Sequence, residues 1–500
     1  MTEEMSSDAM SKDGGVSSGI FMLDIPSGGG LHRKLKARHL EMIAIGGTIG
    51  TGLLLKSGDA IRGAGPLGAL ITFSLTGLQV YGVVTSLGEM ATFIPVEGAF
   101  SAFPNRFVSK AFGFMSGWNY WWNWALTFPA EMAGVASLFE FWVPTSTIPS
   151  WAVSLIFMFP LFTLHLITIV GDTPISKFVN VGAAFTTGFF AYGGTELVGL
   201  TAGEAENPRL SVPRAITGTF WRIMIFYVGS IFFVGVLLNP MATWSASPFV
   251  YVLESAGISF AAEFINFAAI VAALSASNSS IYACARTLLR LSEERQAPRI
   301  FGKIDKRGVP VNSVIAIMIV GLVGIGASYA SGPDGSVNVF NFLTGFVSFS
   351  TMLAWMMVSI THLRFRAGYI AQGRKLKDLP YIAPFFPWFN YISIIIGIVD
   401  TFFMLTSAFD TNGMSQDEFF NLSWWMNNSW TYAGIPITAC LYFGYGIFVP
   451  GSMRLVSYDE MDFEGNTLIE TPEDRAAADA IALKPTNFAE WKAKIMYKLF

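Results

Sequence analysis

Charge is scarce in this chain. Only 13% of its 500 residues are Asp, Glu, Lys or Arg, against about 25% in a soluble domain. With 52% hydrophobic and 15% aromatic residues and a mean hydropathy of +0.50, that shortage argues against a soluble globular fold and describes an all-α polytopic membrane protein. Cysteine is almost missing: Cys284 and Cys440 lie in or beside apolar stretches, so no disulfide framework is expected. The histidines, His32, His39, His165 and His362, have no metal-ligand spacing, and neither cysteine has a local partner that would mark a nucleophile. No phosphate loop occurs, which leaves ATP-driven pumping unsupported. No basic stripe offers itself to nucleic acid. The chain therefore reads as a non-enzyme that needs no cofactor. The N-terminus has no apolar h-region followed by a cleavage site, so a removed signal peptide is not expected. The net charge of −4 is uninformative, because in a bilayer the placement of charge matters more than its sum.

Long apolar runs are abundant. Residues 1–40 form a polar, Ser- and Gly-rich tail that ends in a basic run, Leu31 to His39. That run abuts the first apolar segment and reads as a cytoplasmic anchor; contact with anionic lipid is the alternative. Residues 41–450 carry the membrane domain, and residues 451–500 are a second polar tail. Spans of roughly twenty apolar residues are expected near 42–62, 67–94, 111–139, 148–170, 178–200, 219–238, 261–283, 312–330, 339–361, 386–408 and 431–449. The connections near 140–149, 239–260, 331–338 and 409–430 contain no Lys or Arg, whereas the intervening ones are basic. Basic connections stay in the cytoplasm. Sequons at Asn421 and Asn427 fall on the expected outer side. The alternation fails once. The connections near 171–177 and 204–222 are both expected inside, yet only the segment 178–200 separates them. Either a span is missing, or 178–200 re-enters without crossing, or one half inserts against its charge bias. The final stretch, Phe488 to Phe500, is amphipathic and suits either a membrane surface or an ordinary tail helix.

Two of the spans are poor helices. Ile45-Gly46-Gly47-Thr48-Ile49-Gly50-Thr51-Gly52-Leu53 is dense in glycine, and each glycine costs about 1 kcal/mol against alanine inside a helix. Phe190-Ala191-Tyr192-Gly193-Gly194-Thr195-Glu196 is a second interruption. Small residues also serve close helix packing, but a pair of glycine-interrupted segments points to a transporter binding site. A free amino acid needs donors for its carboxylate and acceptors for its ammonium, and a broken helix exposes both kinds of backbone group. Gly46, Gly47, Thr48, Ile49 and Gly50 are expected to take the carboxylate, with Phe190 or Tyr192 as a gate and Gly193 at the second break.

Carboxylates inside spans carry a functional hypothesis by default: Glu89, Glu131, Glu196 and, at a span end, Glu263. The bland reading is that each pairs with a nearby donor. Asn123, Thr127 and Glu131 recur every four residues and so share one helical face. One Asn alone would read as helix–helix glue, whereas three polar groups in register suggest a cavity wall. Trp118, at the start of the same span, suits an interfacial anchor.

Certain stretches resemble fungal amino-acid permeases of the amino acid–polyamine–organocation superfamily. They are Arg38 to Leu53, Ser86-Leu87-Gly88-Glu89-Met90-Ala91-Thr92-Phe93-Ile94-Pro95-Val96, Gly194 to Arg209 and Ser275 to Tyr282, and the resemblance covers about residues 31–450. It implies a LeuT-like inverted-repeat fold of twelve spans, ten of them in the repeat. It also implies uptake of an amino acid with a proton as coupling ion, at the plasma membrane, with both termini cytoplasmic. The Thr92 to Val96 and Ile360 to Phe365 stretches are similar to the basic amino-acid branch, which takes arginine and lysine. Asn123, Thr127 and Thr344 match positions lining the side-chain pocket there. Pro129-Ala130-Glu131 departs toward broader-range permeases. The resemblance further implies that the family's fifth span is missing between residues 165 and 180, and Lys177 does not match the lysine which that span carries in relatives. An amino-acid sensor that binds without transport, or a truncated copy unable to transport, are the rival readings.

Overall fold

The computed structural model describes residues 44–96, 98–143, 152–154, 187–200, 202, 208–237, 247–305, 309–330, 335–408 and 422–465. The basic run at 31–39, Lys177, the region of the missing span and the amphipathic stretch 488–500 lie outside them. Every expected span within the described residues is helical, and no strand occurs among those residues.

The first expected span is a succession of short pieces. Helix α1 covers 44–48, residues 49 and 50 bend, and α2 runs Thr51–Leu54. Helix α3, Ser57–Phe93, is two helices joined at a kink, where Gly65 takes φ 72° and ψ 166° ahead of Pro66. Only glycine enters that region without strain, and proline removes the next backbone donor, so the chain turns between the first two expected spans. Then follow α4 (Ala99–Phe107) and α5 (Lys110–Glu140). The second break gives α6 (187–192) and α7 (Leu197–Leu200). Next come α8 (Pro208–Leu237), α9 (Pro248–Ser255) and α10 (Ser259–Glu293). The last four are α11 (Val311–Ala330), α12 (Gly335–Ala371), α13 (Trp388–Ala408) and α14 (Leu422–Phe448).

Among the described residues, four helical stretches are long and apolar enough to cross a membrane: Ser57–Phe93, Ser211–Leu237, Ser259–Glu293 and Phe342–Ala371. Helix α5 is long enough at 31 residues, about 46 Å, but more polar, because its polar residues face protein. It is the central post, packed against α4, α10, α11, α12 and α14. Helix α3 packs along α8, α12 and α13. Outward faces remain apolar, as at Ile225 and Phe233 of α8, Phe264 of α10 and Phe402 of α13. That arrangement suits a lipid surround, in which backbone groups must be satisfied within the helices.

The chain after α14 is expected to be a polar tail. Residues 452–465 return to the helix ends. The Val456 amide donates to the Val108 carbonyl at 2.8 Å, and Arg106 pairs with Asp462 at 2.8 Å. Phe463 is buried among the rings of Phe93, Phe107, Phe365 and Tyr369. Trp118 is likewise not a bare interfacial ring: its indole N–H donates to the Gln296 carbonyl at 3.2 Å.

Candidate functional site

The two interruptions touch. Gly194 takes φ +104°, and a Cβ built on it would lie 2.6 Å from the Gly47 carbonyl oxygen and 3.0 Å from the Thr48 nitrogen. Any side chain there would drive the segments apart. Gly52 is similarly close to the second segment, its notional Cβ 2.5 Å from the Ala191 Cα. Gly46 and Gly47 pack against Ser275 and Ser279 of α10. Gly52 and Gly194 thus let backbone approach backbone, while Gly46 and Gly47 make room for side chains of α7 and α10.

A broken helix leaves carbonyl and amide groups without intrahelical partners. Here specific side chains take them. The Tyr227 hydroxyl, from α8, lies 2.7 Å from both the Thr48 and the Ala191 carbonyl oxygens, one on each interrupted segment. With a single proton it donates to one of them at a time. The Thr48 hydroxyl donates back to the Ala44 carbonyl at 2.6 Å, and Ser247 donates to the Leu54 carbonyl. On the amide side, Glu196 accepts from the Gly194 N–H at 3.1 Å, from the Tyr120 hydroxyl at 3.3 Å and from the Trp355 indole at 3.4 Å. This buried carboxylate clamps the second break to α5 and α12.

Glu131 meets the first break. Its carboxylate accepts from the Thr51 N–H, with Oε2 at 2.9 Å and Oε1 at 3.3 Å, and a Cβ on Gly50 would fall 2.5 Å from Oε1. Glycine at 50 is what leaves room for the carboxylate. Thr127 and Asn123, one and two turns before it on α5, share its buried face. Asn123 Oδ1 accepts from the Thr351 hydroxyl of α12 at 3.2 Å, and that hydroxyl lies 3.6 Å from a Cβ built on Gly193. Thr127 donates to the Asn123 carbonyl at 2.8 Å, and Thr344 donates to the Phe340 carbonyl at 2.9 Å. Hydroxyls committed to their own helix as donors keep lone pairs that can accept. The ring of Phe190 sits edge-on to Phe340, centroids 6.4 Å apart. Ile49 lies at the bend, its amide donating to the Ile45 carbonyl at 3.0 Å.

The structure thus brings together residues of both breaks, of α5 and, through Thr351, of α12, while Thr344 lies two turns before Thr351 on the buried face of α12. Tyr192 faces away from α12: it is buried beside Phe73 and Tyr227, and its hydroxyl donates to the Phe73 carbonyl at 3.1 Å. Glu89 lies apart from the breaks. It binds the Arg366 guanidinium in two places and stands 3.2 Å from His362 Nε2, so the bland pairing applies to it. Glu263 is exposed on α10. Tyr227 is the residue that sequence reasoning missed, since one tyrosine in an apolar run carries no local signal.

The profile of the amino acid permease family matches residues 39–172 and 168–452. The chain belongs to the amino acid permease family. It is 35% identical to the lysine-specific permease LysP of Escherichia coli (strain K12), with 87% of this chain and 97% of that protein aligned. It is 31% identical to the general amino-acid permease GAP1 of Saccharomyces cerevisiae, over 87% and 80%. It is 33% identical to the basic amino-acid permease of the same yeast, over 72% and 73%. This permease is accordingly an amino-acid transport protein of the membrane and not an enzyme.

Proposed function

We propose that this permease carries a basic amino acid, lysine or arginine, inward across the plasma membrane together with a proton, with both termini in the cytoplasm. The observation that carries the site is the Glu131 carboxylate on the Thr51 amide, where the two breaks meet; the substrate class is supported by relatives named for lysine and for basic amino acids. On the same face of α5 Asn123 and Thr127, and on α12 Thr344, contribute oxygen acceptors. Such a lining complements an ammonium or guanidinium group. The backbone around Gly46 to Gly50, apart from the Ile49 amide that the Ile45 carbonyl already holds, offers amides to the ligand carboxylate, the carbonyls of the second break receive the α-ammonium, and Phe190 closes over the ligand.

The test is uptake of labelled lysine, arginine and leucine in a permease-deficient yeast, with and without a protonophore. Lysine and arginine uptake that the protonophore abolishes is the expected result. Leucine uptake of equal rate overturns the basic specificity, and uptake indifferent to the protonophore overturns proton coupling. Ligand binding without uptake would instead mark a sensor. A truncated copy that does not transport is also favoured by one observation: the family profile fits in two pieces that meet at 168–172, where the fifth span is expected. The alignment with LysP runs over 492 positions yet uses only 87% of this chain. Re-reading the genomic region for a skipped exon tests that reading.

A further inference from the structure

Helix α13 presents one buried stripe, Ser393, Gly397, Asp400 and Met404, while Ile395, Ile398, Val399 and Phe402 face outward. The stripe lies in the groove between α3 and α12, and its register is set by contacts on both walls. Gln79 Nε2 of α3 donates to the Ser393 carbonyl at 3.2 Å. The Asn390 amide donates to the Ser86 hydroxyl at 3.0 Å. On the α12 side, Met356 fills the space over Gly397, and the Thr401 hydroxyl lies 3.7 Å from Met352 Sδ. Helix α13 is antiparallel to both neighbours. Asp400, two turns beyond Ser393, therefore comes level with Thr72 on α3 and Met352 on α12.

Asp400 is 1% exposed, and neither carboxyl oxygen has a hydrogen-bonding partner among the described residues. Its position about 18 Å along the helix from Trp388 lies within the ~30 Å hydrocarbon thickness. The charged and titratable groups on the packed elements lie elsewhere. Asp59 and Arg62 precede the α3 kink, and Asp59 pairs with Lys56. Glu89, His362 and Arg366 form their own cluster at the other end of the groove. Arg364 donates to the Phe107 carbonyl, and α14 contains no charged residue. A bare carboxylate with no donor and no cation is untenable in such surroundings.

We infer that Asp400 is a proton-binding site of this permease, one helix behind the amino-acid site, and that it holds its proton in the conformation described. This deepens, and rests on, the reading of the chain as proton-coupled. The carboxylate takes a proton from water on one side to form one O–H bond and returns it to water on the other, with no other bond made or broken. Two adjacencies connect it to the amino-acid site. Met352 follows Thr351, the residue bound to Asn123, so α12 carries the amino-acid site on one side and Asp400 on the other. Thr72 precedes Phe73, whose carbonyl holds Tyr192 of the second break. A negative charge on Asp400 demands water or a donor in the groove, which requires α13 to move against α3 and α12, and both contacts lie on those two walls.

The test uses the purified full-length chain and two readouts. In infrared spectra near neutral pH, the carbonyl stretch of a buried protonated carboxyl should be present in the native protein, absent in Asp400→Asn and displaced in Asp400→Glu. Identical spectra for native and Asp400→Asn protein overturn the assignment; should Asp400→Asn not fold, a band that is not displaced in Asp400→Glu overturns it instead. In proteoliposomes, Asp400→Asn should keep exchange of labelled L-lysine within two-fold of native and lose accumulation driven by an imposed pH gradient at least ten-fold. Native protein that accumulates lysine without regard to the pH gradient refutes proton coupling itself. Native protein that needs the gradient, with Asp400→Asn needing it equally, refutes only the role of Asp400.

Discussion

Gly194→Ala puts the crossing of the two breaks to a quantitative test. An L-residue at φ +104° is strained by about 1–3 kcal/mol. Its methyl group would also sit 2.6 Å from the Gly47 carbonyl oxygen, closer than real Cβ atoms come, and the obstacle is backbone. Forcing a methyl group into a filled space costs typically 1–3 kcal/mol more. The lower end of the sum, about 2 kcal/mol, corresponds to a loss of roughly 30-fold at 1.4 kcal/mol per ten-fold. Gly47→Ala should be milder, since its methyl group meets the mobile tip of Leu197 and the Ser279 Cβ. Gly229→Ala is the control: its Cβ enters open space on α8, where alanine favours the helix by about 1 kcal/mol. The assay is the concentration dependence of labelled lysine uptake in permease-deficient yeast, normalised to the number of molecules at the cell surface. Gly194→Ala with native KM and native rate per molecule would refute the close crossing and the site built on it.

Other residues give further tests. Tyr227→Phe leaves the Thr48 and Ala191 carbonyls without the shared hydroxyl and should cost about 1–3 kcal/mol, read as a lower Tm of the purified protein and a raised KM; an unchanged Tm and KM would show that the hydroxyl holds nothing. Arg366→Leu strands Glu89 in the core and should cost about 3–5 kcal/mol, while adding Glu89→Gln should restore much of the surface expression; no restoration would mean that the arginine acts through something other than Glu89. Phe463→Ala removes a ring buried among four others and should cost about 3–5 kcal/mol, speeding limited proteolysis after residue 450 without loss of the membrane helices. Burial pushes the Asp462 carboxyl up, but the Gly465 amide and the Arg106 guanidinium outweigh this and hold it below the usual aspartate value. A depressed value in the folded state means that this anchor is complete above about pH 4 and is lost as the pH falls further. Hydrogen-exchange protection of 452–465 should fall over that range, and a flat profile would contradict it.

What was legible in the sequence follows from chemistry that is local. Glycine weakens a helix where it is dense, and the interruptions fall at residues 49–50, inside the first glycine-rich stretch, and at 193–196, in the second. A repeat of four residues places Asn123, Thr127 and Glu131 on one helical face before any fold is known. Apolar runs of the right length identify the spans, because lipid requires each to satisfy its own backbone. The tertiary structure alone decided which groups meet. Glu131 finds the Thr51 amide 80 residues away, and the carboxylates at 89 and 196 find clamps on other helices rather than open space. Tyr227 joins the two breaks, the segment after α14 docks back on the helix ends, and Asp400 is left without a partner among the described residues, between α3 and α12. A pairing between distant segments has no signature in either one. It exists only once helix packing has set the register, and that register is the sum of many side-chain contacts along whole helices.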